Sequence, residues 1–250
     1  MAGKRSTTPL SVSHPELCKE WHPDRNAGLT PDLVVAGSAK KVWWICENGS
    51  DHEWLGVIQN RAGGARCPFC TNRYVSVTNS LRSHSSVLAG QWHPTKNGDL
   101  TPDKVVSGSN INVWWKCESG PDHEWQTTVN HRTRSGSGCP MCSGAALSVT
   151  NSLVAVDELV ASQWHPTKNG ELTPSMVLAG SHLKAWWTCP VAPDHEWQAV
   201  VGTRTGSLNR GCPFCAGKMV SITNSLARKD PKLAKEWHPT KNGTLTPTGI

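Results

Sequence analysis

Residues 41–70 read KVWWICENGSDHEWLGVIQNRAGGARCPFC. Inside this stretch Cys46 and His52 enclose five residues, and Cys67 and Cys70 enclose two. Two tight pairs of soft-to-borderline ligands, separated by a longer loop, are what a tetrahedral Zn²⁺ site asks of a chain. The arrangement returns as Cys117, His123, Cys139 and Cys142, and again as Cys189, His195, Cys212 and Cys215. The loop between the pairs grows from 14 to 15 to 16 residues while the pairs keep their spacing. Drift in the loop but not in the pairs marks a fold pinned at its metal. Four protein ligands fill each shell, so the spacing predicts three structural Zn²⁺ per chain and no open catalytic position. Of the ten cysteines only Cys18 is left over. Ala89, Ala161 and Ala234 take its place in the other copies, so it reads as a small packed residue.

Working outward, the repeat is longer than the ligand set. Trp-His-Pro occurs at Trp21, Trp92, Trp164 and Trp237, in steps of 71, 72 and 73 residues. Trp-Trp-x-Cys begins at Trp43, Trp114 and Trp186, and Asp-His-Glu-Trp surrounds His52, His123 and His195. The segments VSVTNSL (75–81), LSVTNSL (147–153) and VSITNSL (220–226) read as linkers. The units are then 13–74, 84–146 and 156–218, with an incomplete fourth at 229–250 that holds no cysteine. A short helix is expected before each Trp-His-Pro. Asp230 followed by Pro231 gives the fourth copy a cap and a first-turn proline, and Ser13-His14-Pro15-Glu16 reads as a capping box. The threonine of each Leu-Thr-Pro is expected to cap a further short turn. His22, His93, His165 and His238 recur even where cysteines are missing, which assigns them structural roles rather than ligation.

Composition agrees with several small cores. Only 37% of the 250 residues are hydrophobic, and 13 are Trp against two Phe and one Tyr. The formal charge is +6. Three thiolates and a dication make −1 per site and bring this to about +3, a balance that permits a nucleic-acid partner without requiring one. No apolar run of the roughly 18 residues needed to cross a bilayer is present, and MAGKRSTTPL has no apolar stretch behind its basic start. This reads as a cytoplasmic chain with no membrane role, where CxxC pairs serve as metal ligands rather than disulfides.

These motifs resemble the probable zinc-ribbon, or treble-clef zinc-finger, repeat family. Its tandem units carry Trp-His-Pro-x-x-Asn, Leu-Thr-Pro, Trp-Trp-x-Cys, His-x-Trp, an arginine and Cys-Pro-x-Cys. All stand here, as from Trp92-His93-Pro94-Thr95-Lys96-Asn97 through Cys142. The resemblance covers nearly the whole chain, although the first knuckle is longer than the family's commonest form. It implies small zinc-stabilised α+β modules, tandem treble-clef/zinc-ribbon repeats on short linkers. Each would place a zinc knuckle on a β-hairpin carrying Trp43-Trp44 and Glu53-Trp54, with a second knuckle leading into a turn or helix. Some members are fused to nuclease-like domains, which implies nucleic-acid work.

The candidate contact residues are cations that recur by repeat. Arg61, Arg132 and Arg204 each follow the hairpin Trp by seven residues. Lys96 and Lys168 follow the Trp of Trp-His-Pro by four, and Arg134 and Arg210, with Arg66, stand near the Cys-Pro-x-Cys knuckle. One cation per unit suits a phosphate backbone. A solvated face, or an arginine bonded to knuckle carbonyls, is the other reading of Arg61, Arg132 and Arg204, and a solvated face that of the lysines. The first reading of the chain is a nucleic-acid-binding array, DNA ahead of RNA. The alternative is a protein–protein scaffold built from the same modules; behind both stands an accessory recognition part of a nuclease system. Catalysis and a small-molecule substrate are not expected. The His93–Asn97 stretch has no second histidine with an acidic partner, and the metal sites are full.

Overall fold

The computed structural model describes residues 7–206 and 210–250. The amino-terminal MAGKRS and residues 207–209 of the third unit lie outside the described residues. Three antiparallel hairpins carry the repeat: β1 (Lys41–Ile45) with β2 (Glu53–Val57), β3 (Asn112–Lys116) with β4 (Glu124–Thr128), and β5 (Lys184–Cys189) with β6 (Ala192–Val200). Alternation along each first strand decides its faces. Trp44, Trp115 and Trp187 are fully buried, and their neighbours Trp43, Trp114 and Trp186 lie half-buried on the opposite face. The buried tryptophans anchor three separate cores, the first also holding Leu10, Val34, Val42, Trp54 and Ile58.

Each Trp-His-Pro feeds its core. Trp21, Trp92 and Trp164 pair by backbone with Trp44, Trp115 and Trp187. Their rings meet those partners edge to face at 5.4, 5.6 and 5.3 Å, a geometry that aromatic quadrupoles favour. Asn26 grips the free edge of β1 with both ends of its amide, donating to the Trp43 carbonyl (3.1 Å) and accepting from the Trp43 N–H (2.8 Å). Asn97 and Asn169 do the same for Trp114 and Trp186. The asparagine of the motif therefore completes, beside the short bridge made by Trp21, Trp92 or Trp164, a strand edge that has no full neighbouring strand.

The recurring histidines are structural. Nδ1 of His22, His93 and His165 accepts two backbone N–H groups, from Asp24 and Arg25, Thr95 and Lys96, and Thr167 and Lys168. The proton therefore sits on Nε2, which faces Glu53 (3.4 Å), Glu124 (3.2 Å) and Glu196 (2.9 Å). Those same carboxylates hold Arg25, Lys96 and Lys168, each of which also lies over the outer tryptophan of its repeat. The Lys96 ammonium, with His93, draws the Glu124 carboxyl down to about 2. The charges of Lys96 and Lys168, read as phosphate contacts, are thus already answered within the fold.

Local structure before each Trp-His-Pro is two helical turns rather than one helix. They are Leu10–Ser13 and Pro15–Cys18, Leu81–His84 and Ser86–Gly90, Leu153–Val156 and Glu158–Ala161, and Leu226–Lys229 and Pro231–Lys235. Asp230 caps the last as expected, accepting from Leu233 N at 2.9 Å. The capping box at Ser13 does not form. Ser13 ends the preceding turn and its hydroxyl donates back to the Pro9 carbonyl (3.0 Å), leaving His14 at the cap. The Leu-Thr-Pro turns Pro31–Leu33 and Pro174–Met176 likewise have no side-chain cap from Thr30 or Thr173. The fourth copy closes on itself: Leu226 N and Ala227 N bond the carbonyls of Ile250 and Pro247, and Trp237 Nε1 donates to Leu245.

The segments read as linkers are folded. Leu81 and Leu153 are fully buried members of the second and third cores. Leu81 N donates to Val105 O (2.8 Å) and Ser107 N to Asn79 O (3.2 Å), so each segment is stitched into the repeat that follows it. Contacts divide the chain into two compact units, Met1–Lys116 with Glu124–Ser137, and Cys117–His123 with Gly138–Ile250. The division cuts the tip of the second hairpin and leaves the linkers whole. Among the described residues no helix is long and apolar enough to cross a membrane.

Of the readings of Arg61, Arg132 and Arg204 the structure overturns the phosphate contact and favours the internal one, Arg61 also donating to the Ala65 carbonyl before the knuckle. The three residues are only 8%, 4% and 2% exposed, too little to meet a phosphate backbone. Each guanidinium lies near two indoles, at 4.6 and 5.0 Å from Trp187 and Trp197 in the third repeat. Arg61 donates to Glu20, Arg132 to Gln91 and Arg204 to Gln163. Burial lowers the Arg204 pKa from its ordinary value. The indole faces and the Gln163 amide compensate part of the cost of a cation that has left water, while Nε and Nη1 of Arg204 have no hydrogen-bond partner among the described residues. Arg204→Ala should therefore cost on the order of 2–4 kcal/mol, by opening a void and stranding the Gln163 amide. Exposed Arg66→Ala should change stability by less than about 0.5 kcal/mol. Urea unfolding followed by tryptophan fluorescence checks both.

Candidate metal centre

The hairpin tip and the Cys-Pro-x-Cys turn meet in every repeat. Cys46 leaves β1, His52 precedes β2, and the turn after the following helix brings in Cys67 and Cys70. Across the three clusters, all four ligand atoms lie within 4.8 Å of one another. A Zn²⁺ with bonds of about 2.3 Å to sulfur and 2.0 Å to nitrogen gives a tetrahedron with S–S edges of roughly 3.8 Å and S–N edges of roughly 3.5 Å. The Sγ–Sγ distances are 3.7 Å for Cys46–Cys70, Cys117–Cys142 and Cys189–Cys215. From His Nδ1 to sulfur they are 3.8 and 3.6 Å in the first cluster, 3.6 and 3.4 Å in the second, and 3.6 and 3.5 Å in the third. The Cys₃His sets therefore fit three zinc ions, one per repeat, with the positions that spacing singled out. Burial pushes the Cys67 thiol up to about 11, so a cation among the sulfurs is what turns it into a thiolate at neutral pH.

Two knuckles need a glycine. A Cβ on Gly49 or Gly120 would meet the imidazole of His52 or His123 at 2.6 Å. The third repeat has Ala192 at that place and changes its backbone instead. There β6 starts at Ala192, which pairs with Cys189 after a register shift.

Cys18 stands apart from the clusters, its thiol near the His14 carbonyl at 3.8 Å. The Arg61, Arg132 and Arg204 side chains are internal, as described above, whereas Arg134 and Arg210 are exposed.

Sequence reading missed a second layer. With Nδ1 turned to the sulfurs, His52 carries its proton on Nε2, beside Ser76 Oγ (3.1 Å) and Thr78 Oγ1 (2.9 Å). His123 meets Ser148 (3.0 Å) and Thr150 (2.8 Å), and His195 meets Thr223 (3.1 Å). Such partners hold a ligating ring in orientation and tautomer. Asn79 adds a lock: its carbonyl accepts from Ser76 N, and its amide donates to the carbonyls of Phe69 and Tyr74 around the second knuckle. Asn151 and Asn224 repeat these bonds. The available signal was the serine standing six residues after Cys70, Cys142 and Cys215.

The family described as probable treble clef zinc finger domain matches residues 17–73, 88–145 and 160–218, together well over half of the chain. No curated protein matches the chain.

The second layer ties each metal to the repeat after it, because the Ser-x-Thr-Asn segment runs directly into the next leucine, buried at Leu81 and Leu153 and half-buried at Leu226. Metal analysis should give three Zn²⁺ per chain. Cys67→Ser should release one of them and also expose the amides of Leu81 and Ser107 to hydrogen exchange, which an array on loose linkers would not do. Ser76→Ala with Thr78→Ala should weaken zinc retention at the first site about 10-fold or more, read by competition with a chelator.

Proposed function

The chain belongs to the probable treble clef zinc finger family, and we propose that it is a non-catalytic recognition array that binds DNA through backbone phosphates. The observation that supports this is the set of exposed cations beside the Cys-Pro-x-Cys knuckles. Arg66, Arg134 and Arg210 have no carboxylate partner among the described residues, while Arg25, Lys96 and Lys168 are all paired. A fold that neutralises one set of cations and leaves another open to water keeps the second for an external anion. The zinc sites add rigidity without an open coordination position, so the reading assigns them no catalytic role. Thiolate ligands favour a reducing compartment, the cytoplasm.

One feature favours protein contact as the second reading. Val77, Val149 and Ile222, between the hydroxyls that hold each ligand histidine, are 64%, 62% and 79% exposed. An apolar side chain recurring at one exposed place per repeat suits a protein surface.

A gel shift on random-sequence DNA between 50 and 200 mM salt tests the reading. Three phosphate contacts on a duplex require log K to fall against log salt with a slope of about −3, or about −2 on a single strand. No shift at the lowest salt removes the DNA reading. Val77→Lys, Val149→Lys and Ile222→Lys then become the informative variants in a protein-binding assay.

A further inference from the structure

The first and third repeats share a groove that the middle repeat is not equipped to make. In the first repeat it lies between β2 and the second knuckle, with a volume of about 270 Å³. Trp54 lines its wall, and Lys41, Arg66, Arg73 and Tyr74 line it beside Trp54. In the third repeat the groove is about 610 Å³, walled by Trp197 and lined also by Lys184, Arg210, Lys218 and Met219. Among the described residues neither lining includes an acidic one. All six cations are exposed, and none has a carboxylate partner among the described residues. Tyr74 is 57% exposed and Met219 46%, so each apolar side chain reaches into solvent at the lip. Each groove lies inside one compact unit of the chain.

Counting from the ligands gives the middle repeat's counterparts. Lys41 and Lys184 correspond to Asn112, Arg73 and Lys218 to Ala145, and Tyr74 and Met219 to Ala146. Arg66 and Arg210 come from adjacent positions before the knuckle, where the middle repeat has Gly138 and Ser137. Yet the middle repeat keeps its hairpin, its buried Trp115 and its Cys₃His cluster. The scaffold therefore needs none of the four side chains. What they share is a chemistry: three exposed cations around a groove whose floor reaches a nearly buried indole, Trp54 or Trp197, with a flat or polarisable side chain at the lip.

That combination fits a ligand with an anion and an apolar ring in close succession. The larger volume is that of a small-ligand site and the smaller lies just below that range. In a duplex the rings are stacked inward and only phosphates and groove edges are offered. A single strand offers phosphate and ring face together, and proteins that hold one combine cations along the backbone with side chains on which bases rest. A thioether also makes a favourable contact with an aromatic ring, weaker than stacking on a phenol.

We propose that the first and third repeats each seat a short run of single-stranded nucleic acid, and that the middle repeat seats none. Lys41, Arg66 and Arg73, and in the other seat Lys184, Arg210 and Lys218, take phosphates. One base rests against Tyr74 or Met219 at the mouth of the groove. The proposal rests on the nucleic-acid reading above and narrows it to strand state, place and number; Arg134 of the middle repeat is then a lone phosphate contact outside either seat.

The test uses the full zinc-loaded chain with fluorescent dT8 and dT30, and a random duplex as comparison. Wild type should take two dT8 per chain. Lys41→Ala, Arg66→Ala and Arg73→Ala together should leave one seat, and adding Lys184→Ala, Arg210→Ala and Lys218→Ala should leave none. These exposed side chains carry no bonds of the fold, so zinc content and melting should stay at wild-type values and certify the variants. Each triple should remove about 2 from the salt slope on its own seat, since a single strand loses about 0.7 per phosphate. Tyr74→Ala should weaken the first seat about five-fold or more. Three dT8 per chain would overturn the exclusion of the middle repeat. A six-residue variant that binds dT30 like wild type would overturn the grooves while leaving the nucleic-acid reading standing. Duplex bound more tightly than dT30, with Tyr74→Ala silent, would overturn the single-strand assignment. A wild-type chain that binds no nucleic acid at 50 mM salt would remove the reading and the grooves together.

Discussion

One imidazole per repeat carries two obligations. Its Nδ1 faces the three sulfurs, and its Nε2–H must find an acceptor in a site that water cannot reach, since His52, His123 and His195 are only 2%, 2% and 3% exposed. A buried donor left without a partner costs about 1–3 kcal/mol, so the hydroxyls of Ser76 and Thr78 and their counterparts are a condition of building the site. Those hydroxyls belong to the segment that leaves the knuckle. Once Ser76 and Thr78 are fixed, Asn79 and Ser80 are fixed with them, and Leu81 is delivered to the next core at 0% exposure. The metal thereby organises chain on both sides of itself. This explains why the compact units divide at Lys116 and Cys117, within the repeat, and keep the second zinc cluster with the third repeat.

The same constraint explains what could be read from the letters and what could not. Metal ligands must stand at fixed short spacings, so Cys46, His52, Cys67 and Cys70 declare themselves, and their drifting loop confirms them. Strand alternation placed one tryptophan of each Trp-Trp pair inside. The Ser-x-Thr-Asn segment was hidden because its polar, turn-forming residues are those of an ordinary linker. Its role depends on which nitrogen of a distant ring faces it, and no local pattern records that. Arg61, Arg132 and Arg204 misled for a related reason. An arginine repeated at a constant offset looks like a surface feature, and only the fold shows two indoles near each guanidinium with Glu20, Gln91 or Gln163 beyond.

Small cores make such burial reasonable. With 13 tryptophans and few other large side chains, each repeat has indole faces to spare and little aliphatic volume. A planar cation fills the space between two rings, covers both with its methylene stem, and bonds the turn before Trp-His-Pro. Arg61, Arg132 and Arg204 thus belong to the core, while His22, His93 and His165 organise the outer face with a glutamate and a cation. The fourth copy shows how far these elements reach without a hairpin. His238 still accepts from Thr240 N (3.2 Å) and Lys241 N (3.0 Å), and Trp237 still bonds Leu245. Leu233, Leu245 and Ile250 nevertheless stay 49%, 57% and 37% exposed, because local hydrogen bonds set a backbone path but only a Trp-Trp strand closes a core over it.

Repetition also separates scaffold from surface without any second protein to compare. Every side chain that binds metal, holds the ligand histidine or buries a tryptophan face recurs in all three repeats in the same or an equivalent type. Positions 41, 73 and 74 do not follow that rule: they are cationic, cationic and large in the outer repeats, and Asn112, Ala145 and Ala146 in the middle one. Three copies of one fold under the same metal constraint keep what folding requires and differ where folding is indifferent. A difference that replaces cations and a protruding ring together, around one groove, follows a chemical theme that an indifferent surface has no reason to keep. The groove is therefore a feature added to the zinc scaffold, separable from it, and open to removal without loss of the fold beneath.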